Sequence, residues 1–122
     1  EALSHLLQAG ADAIVVPSRF EPCGLTQLYG LRYGCVPVVA ATGGLVDTVA
    51  DVDDNAVDAT GFKFAAGDAG ALAAAFRRVG EVYGEPERWR ALQRRGMAQD
   101  LGWDRAAGRY VEVYEAALAK RG

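Results

Sequence analysis

Two short runs of small and β-branched apolar residues, Ala13-Ile14-Val15-Val16 and Val36-Pro37-Val38-Val39-Ala40, constrain the fold more than any other feature of the chain. Each run is continuous rather than alternating, which suits a parallel strand covered on both faces. Pro37 stands near the start of its run, where a missing N–H does least harm. Between the runs Leu25, Leu28, Tyr29 and Arg32 fall at helical spacing, and Gly34 closes the segment. Strand, helix and strand in this order predict a parallel unit with a right-handed crossover, so both strands end on the same edge. Ligands of open α/β sheets bind along that edge. The loops leaving the two strands, residues 17–24 and 41–44, are also the most unusual stretches of the sequence.

Periodicity extends the reading to both sides. Leu3, Leu6 and Leu7 predict a helix over about residues 2–9, which Glu1 opens and Gly10 ends. Thr42-Gly43-Gly44 turns into a short helix from Leu45 to about Ala50, residues 51–60 are acidic and irregular, and Gly61-Phe62-Lys63-Phe64 is a brief extended stretch. Asp68 suits the cap of a helix with an apolar stripe of Ala69, Leu72, Phe76, Val79 and Tyr83. Pro86 opens a helix to about Met97. Trp103, Ala107, Tyr110, Tyr114 and Ala117 repeat the stripe in a last helix, 103–119.

Composition removes several classes of function. A chain of 122 residues is a single domain by length, and 51% hydrophobic residues exclude a disordered tail. No apolar run approaches the ~20 residues of a membrane helix, so no membrane partner is expected. A net charge of −3 is too small to imply a polyanionic partner. Arg88, Arg90, Arg94 and Arg95 make a basic helix face, but no aromatic platform accompanies them, and no nucleic-acid partner is expected. The charge is uneven: Arg19 and Arg32 meet eight acids in residues 1–61, a balance of −6, while residues 62–122 balance at +3. Cys23 and Cys35 fit neither a zinc motif nor a disulfide framework, and reduced thiols are the default. Asp51, Asp53 and Asn55 imitate a calcium loop, but Ala56 and Phe62 stand where it needs glycine and glutamate. His5 is the lone histidine, a helix-face residue, and no metal is expected. Trp89 and Trp103 sit at helical spacing with apolar neighbours and suit core or domain contact.

Two features on the predicted edge could carry chemistry. Gly24 and Gly43-Gly44 each precede a helix start, where free N–H groups and the helix dipole favour an anion such as a diphosphate. The same glycines also suit turns and caps with no ligand. Glu21, between Phe20 and Pro22, could accept hydrogen bonds from sugar hydroxyls or stabilise a positively charged sugar. It equally suits a solvated loop acid. No second carboxylate is spaced as a glycosidase pair.

The stretch from Pro17 to Gly34 (PSRFEPCGLTQLYGLRYG), followed by Val36-Pro37-Val38-Val39 and Thr42-Gly43-Gly44-Leu45-Val46-Asp47-Thr48-Val49, resembles the bacterial glycogen synthase and plant starch synthase family. The match runs for some thirty residues, and the first helix and the Trp103 helix fit the family's carboxyl-terminal end. The resemblance implies a retaining glucosyltransferase of the GT-B fold, with two Rossmann-like domains and the active site between them. Residues 1–122 would be one incomplete carboxyl-terminal nucleotide-sugar-binding domain: an α/β unit with part of a Rossmann-like parallel sheet and long C-terminal helices. Such enzymes move glucose from ADP-glucose, a substrate and not a cofactor, to the non-reducing end of an α-1,4-glucan.

By the same resemblance Glu21 matches the catalytic glutamate, and Cys23, Gly24, Leu25 and Thr26 match the segment that holds the donor's sugar and phosphates. Thr42-Gly43-Gly44 matches the second glycine turn beside that site. In related retaining glycosyltransferases a second glutamate follows eight residues after the first; Tyr29 stands there in this chain. The resemblance places the family's amino-terminal domain, and the arginine and lysine that clamp the diphosphate, upstream of Glu1. The acidic first half agrees, because a diphosphate there needs cations from elsewhere. The expected partners are ADP-glucose or ADP, an α-glucan acceptor and the missing domain, in the bacterial cytoplasm or a plastid. Alone, the chain is expected to be inactive and to self-associate through an unpaired sheet edge. A non-catalytic glucan-binding or structural fragment, and a GT-B glucosyltransferase with another donor, are the alternatives.

Overall fold

A computed structural model describes residues 2–120; Glu1 lies outside the described residues. The chain runs through α1 (Ala2–Gly10), β1 (Ala13–Val16), α2 (Thr26–Tyr33), β2 (Val36–Ala40), α3 (Gly44–Thr48), β3 (Phe62–Phe64), α4 (Ala69–Tyr83), α5 (Pro86–Ala98) and α6 (Trp103–Ala119). The three strands form one sheet in the order β1-β2-β3, and both pairings are parallel. Ala13 pairs with Val36 and Val16 with Val39, so the carboxyl ends of β1 and β2 lie side by side.

The elements follow from local chemistry. Gly34 at φ 75 stops α2, and its N–H caps the carbonyls of Gly30 and Leu31. At the start of α4, Asp68 accepts the Ala71 N–H at 2.9 Å, as a capping aspartate should. Pro86 occupies the first turn of α5, where its missing N–H costs nothing.

Side chains alternate across the central strand and divide the core in two. Val36, Val38 and Ala40 join Phe62, Phe64, Ala75, Val82, Trp89 and Leu92 under α4 and α5. On the other face Val39 packs with Val16, Leu45 and Val49. All five residues of β2 are buried.

Three expectations need correction. The β1 run is not covered on both faces: it is the edge strand, and Val15 is 36% exposed. On α4 Leu72 and Val79 of the expected stripe pack against the core, but the buried residues are Ala75 and Val82, while Phe76 is 48% exposed and Tyr83 half-exposed. Tyr83 sets its ring edge against the Trp89 ring at 5.0 Å, and its hydroxyl donates to Asp12 at 3.3 Å. Trp89 is a core residue as expected; Trp103 is 82% exposed, so of its two expected roles core packing within this chain is excluded and domain contact is not. The short helix α3 ends at Thr48, because Val49 is already extended at φ −117 and ψ 121.

Candidate active site

The residues singled out on the loops after β1 and β2 come together at the carboxyl edge of the sheet. The loops interlock through backbone. The Gly44 N–H donates to the Glu21 carbonyl at 3.2 Å. A Cβ on Gly43 would collide with that same carbonyl, and one on Gly44 would collide with the carbonyl of Cys23. Gly43 also has φ 49, a conformation that side chains disfavour. The second glycine pair therefore lets one loop lie directly on the other.

The Glu21 carboxylate is turned into its own loop. One oxygen accepts the Gly24 N–H at 3.1 Å, and the other accepts the Ser18 hydroxyl at 3.3 Å. In this structure the N–H groups of Gly24 and Gly44, expected to face a phosphate, bond within the loops. Both are already committed, the first to the side chain of Glu21 and the second to its carbonyl. Leu45 and Val46 donate to Thr42 and Gly43, so the start of the five-residue α3 is closed as well.

The start of α2 is different. Among the described residues the N–H groups of Leu25 and Thr26 have no acceptor, and both residues are exposed. Open first-turn N–H groups are where an anion binds best. Cys23 is exposed and free, and Thr42 is half-buried between the loops. Beside the helix start, Leu25, Tyr29, Arg32, Met97 and Leu101 line an open groove. His5 lies across from it on α1, with Nδ1 2.9 Å from the Tyr33 hydroxyl.

The Asp51 region holds no free ligand set. Asp51 is buried and accepts from the N–H groups of Asp53 and Lys63 and from Arg78. Its oxygens are occupied within the fold. Among the described residues no cluster of three or more His, Cys, Asp or Glu could hold a metal. No helix of the described residues is long and apolar enough to cross a membrane.

The sequence profile of the family Glycosyl transferases group 1 matches residues 1–95, which takes in every element from α1 to α4 and the whole carboxyl edge. The chain belongs to that family. It is 59% identical to glycogen synthase 1 of Rhizobium meliloti over 98% of its length, and 54% identical to the glycogen synthase of Mesorhizobium japonicum over 99%. In each case it spans 26% of the relative, about a quarter of a longer protein. Among solved structures it resembles the catalytic domain of starch synthase IV from Arabidopsis thaliana bound to ADP and acarbose. That match has a TM-score of 0.83 and 37% identity, over 98% of this chain and 25% of the other. A sucrose-phosphate synthase from Thermosynechococcus elongatus matches with a TM-score of 0.66 and 28% identity, over 94% and 27%. The α/β architecture is thus that of a GT-B carboxyl-terminal domain.

Sequence reasoning missed one buried polar group in this site. Gln27 is fully buried beneath Gly24 and bonds to Thr48 on α3. Helical spacing alone gives no sign of it, because position 27 lies beside the apolar stripe and not on it.

Proposed function

We propose that this chain is the carboxyl-terminal part of a retaining glucosyltransferase that builds α-1,4-glucan from ADP-glucose. The observation that carries the reading is the interlocked pair of loops, which holds Glu21 beside the open helix start at Leu25 and Thr26. Similarity to glycogen synthases, and to a starch synthase bound to ADP and acarbose, supports a nucleoside diphosphate sugar and a glucan as substrates.

In this mechanism the N–H groups of Leu25 and Thr26, with the Thr26 hydroxyl, hold the leaving diphosphate at the positive end of α2. Cys23 and Gly24 bring the backbone against the donor, and Thr42, Gly43 and Gly44 support the opposite wall. Glu21 exchanges its bond to the Gly24 N–H for the glucose, and its charge stabilises the oxocarbenium-like state. That exchange frees the Gly24 N–H for the donor. With no enzymatic nucleophile at the anomeric face, the acceptor enters on the side the diphosphate leaves, which retains configuration. No metal takes part. Cations for the diphosphate come from the rest of the protein, since the half of the chain holding these loops is acidic. The setting for this activity is the bacterial cytoplasm, or the plastid for a plant enzyme.

The test is transfer of labelled glucose from ADP-glucose to glycogen by the intact protein. Incorporation is expected, with a loss of about a hundredfold or more in Glu21→Ala. The 122-residue chain alone is expected to transfer nothing. An intact protein that ignores ADP-glucose but uses another nucleotide sugar would overturn the donor assignment.

A further inference from the structure

We propose that Gln27 is a positioning residue that joins the two active-site loops into one rigid unit. The inference rests on the functional reading above, because what it positions is Glu21 and the open start of α2. A fully buried amide is costly unless its hydrogens are used. Gln27 Nε2 donates to the Gly24 carbonyl at 2.8 Å and to Thr48 Oγ1 at 3.1 Å, with the Cys23 carbonyl also in reach at 3.3 Å. The Thr48 hydroxyl has a single proton, and it goes to the Gly44 carbonyl at 2.8 Å. Donor and acceptor roles are therefore fixed along the whole path.

Before the donor binds, these bonds close a ring. From Glu21 the path runs to the N–H of Gly24, whose carbonyl accepts from Gln27. It continues through Thr48 to the carbonyl of Gly44, whose N–H returns to the Glu21 carbonyl. Glu21 stands on one side of the ring and the Gln27–Thr48 bond on the other. That bond is the one side-chain hydrogen bond between α2 and α3 among the described residues, and through the Gly24 and Gly44 carbonyls it reaches both loops. Gln27 Oε1 is buried with no partner, a cost that an apolar residue of the same size would avoid. The amide group stands there despite that cost because its hydrogens close the ring.

The experiment uses the intact protein with Gln27→Met, Thr48→Val and the double variant, reading kcat and KM for ADP-glucose. Met keeps the volume and removes both hydrogens. Gln27→Met is expected to lower kcat/KM by about tenfold to a hundredfold, as displaced reacting groups do. Thr48→Val should fall to a similar level, and the double variant should be no worse than the weaker single, since both break one bridge. Thr48→Ser keeps the hydroxyl and should restore most of the activity. Hydrogen exchange at the Gly44 amide is the second readout, and Gln27→Met should speed it by about tenfold.

Multiplying losses in the double variant, or wild-type kinetics in a folded Gln27→Met, would overturn the proposal. If the wild-type protein transfers nothing from ADP-glucose, the functional reading fails. The exchange at Gly44 then decides the ring by itself: unchanged protection in Gln27→Met refutes it, and faster exchange upholds it.

Discussion

β2 is apolar throughout and α6 along one stripe, and the two end in opposite states. Every residue of the five-residue β2 is buried, whereas the seventeen residues of α6 include none that is. The first helix sides with α6: Leu3, Leu6 and Leu7 are exposed, and the buried residue of α1 is Gln8. The difference lies in partners. β2 has a strand on each side, α4 and α5 over one face and α3 over the other. An apolar stripe is a capacity for burial, and only a facing surface turns it into stability.

The strongest way to break this comparison is to place a charge on each element. Val39→Asp puts a carboxylate into the small core shared with Val16, Leu45 and Val49, with no basic group in that cluster. The expected cost exceeds about 5 kcal/mol, which approaches the whole stability of a domain. Loss of expression or of the folded circular-dichroism signal in the intact protein is the readout. Tyr114→Asp on α6 should leave the fold of the 122-residue chain intact. If the two behave alike, β2 is not the centre of the fold.

The second prediction compares two aspartates three residues apart. Asp51 is buried and bonds Arg78 at 2.9 Å, while Asp54 is exposed and meets Lys63 at 3.4 Å. Asp51→Ala takes one of its two carboxylates from Arg78, which keeps Asp53, and strands the N–H groups of Asp53 and Lys63; it should cost about 2–3 kcal/mol. Asp54→Ala should cost less than about 0.5 kcal/mol. Burial pulls the Arg78 guanidinium down, but hydrogen bonds and charges from Asp51 and Asp53 outweigh it, and the net shift is upward. A raised folded value means the stabilisation is complete below the ordinary guanidinium range and lost only in stronger alkali. Urea midpoints of the two variants, at neutral pH and near pH 10, check both the size and the flat pH dependence.

What could be read from the sequence follows from what periodicity encodes. Spacing located β1 and β2, and local chemistry placed the ends of α2 and α4, because Gly34 and Asp68 act on their own neighbours. Spacing does not encode phase. Of the expected α4 stripe Leu72 and Val79 meet the core, but the sheet lies toward Ala75 and Val82 and leaves Phe76 and Tyr83 half-exposed. The site was legible as a place, since two glycine turns follow two parallel strands. Its bonds were not. Gly44 meets Glu21 and Gln27 meets Thr48 across more than twenty residues, and Arg78 reaches Asp51 from another element. Such contacts depend on the tertiary arrangement and leave no local signature.

The two cysteines give the third comparison. Cys23 is exposed on the loop after β1, and Cys35 is fully buried just before β2. Burial pushes the Cys35 thiol up, and the charge of Asp12 adds to this. Only a thiolate attacks an alkylating reagent, so Cys35 is protected by both access and ionisation. At pH 8 iodoacetamide should label Cys23 at least about a hundredfold faster, and mass spectrometry of the timed digests reads the ratio. Comparable rates would mean that the edge of β2 opens readily, against its complete burial.

The smallest expected effect lies in α6 and sharpens the opening contrast from the other side. Tyr110, Val111, Val113, Tyr114 and Leu118 are all exposed, so truncating one of them removes little packing within the chain beyond the Tyr110–Tyr114 ring pair at 6.4 Å. Tyr114→Ala should shift the thermal stability of the 122-residue chain by less than about 0.5 kcal/mol. A helix of this length with no buried face depends on its own propensity, which is marginal in water. Its amides should therefore exchange much faster than those of β2. The same substitution in the intact protein, about four times longer in the relatives this chain matches, is the informative partner experiment. A loss above about 2 kcal/mol there would mean that another part of the protein supplies the surface α6 lacks here. A negligible loss in both would make α6 a solvated helix, and its aromatic stripe would carry no packing at all.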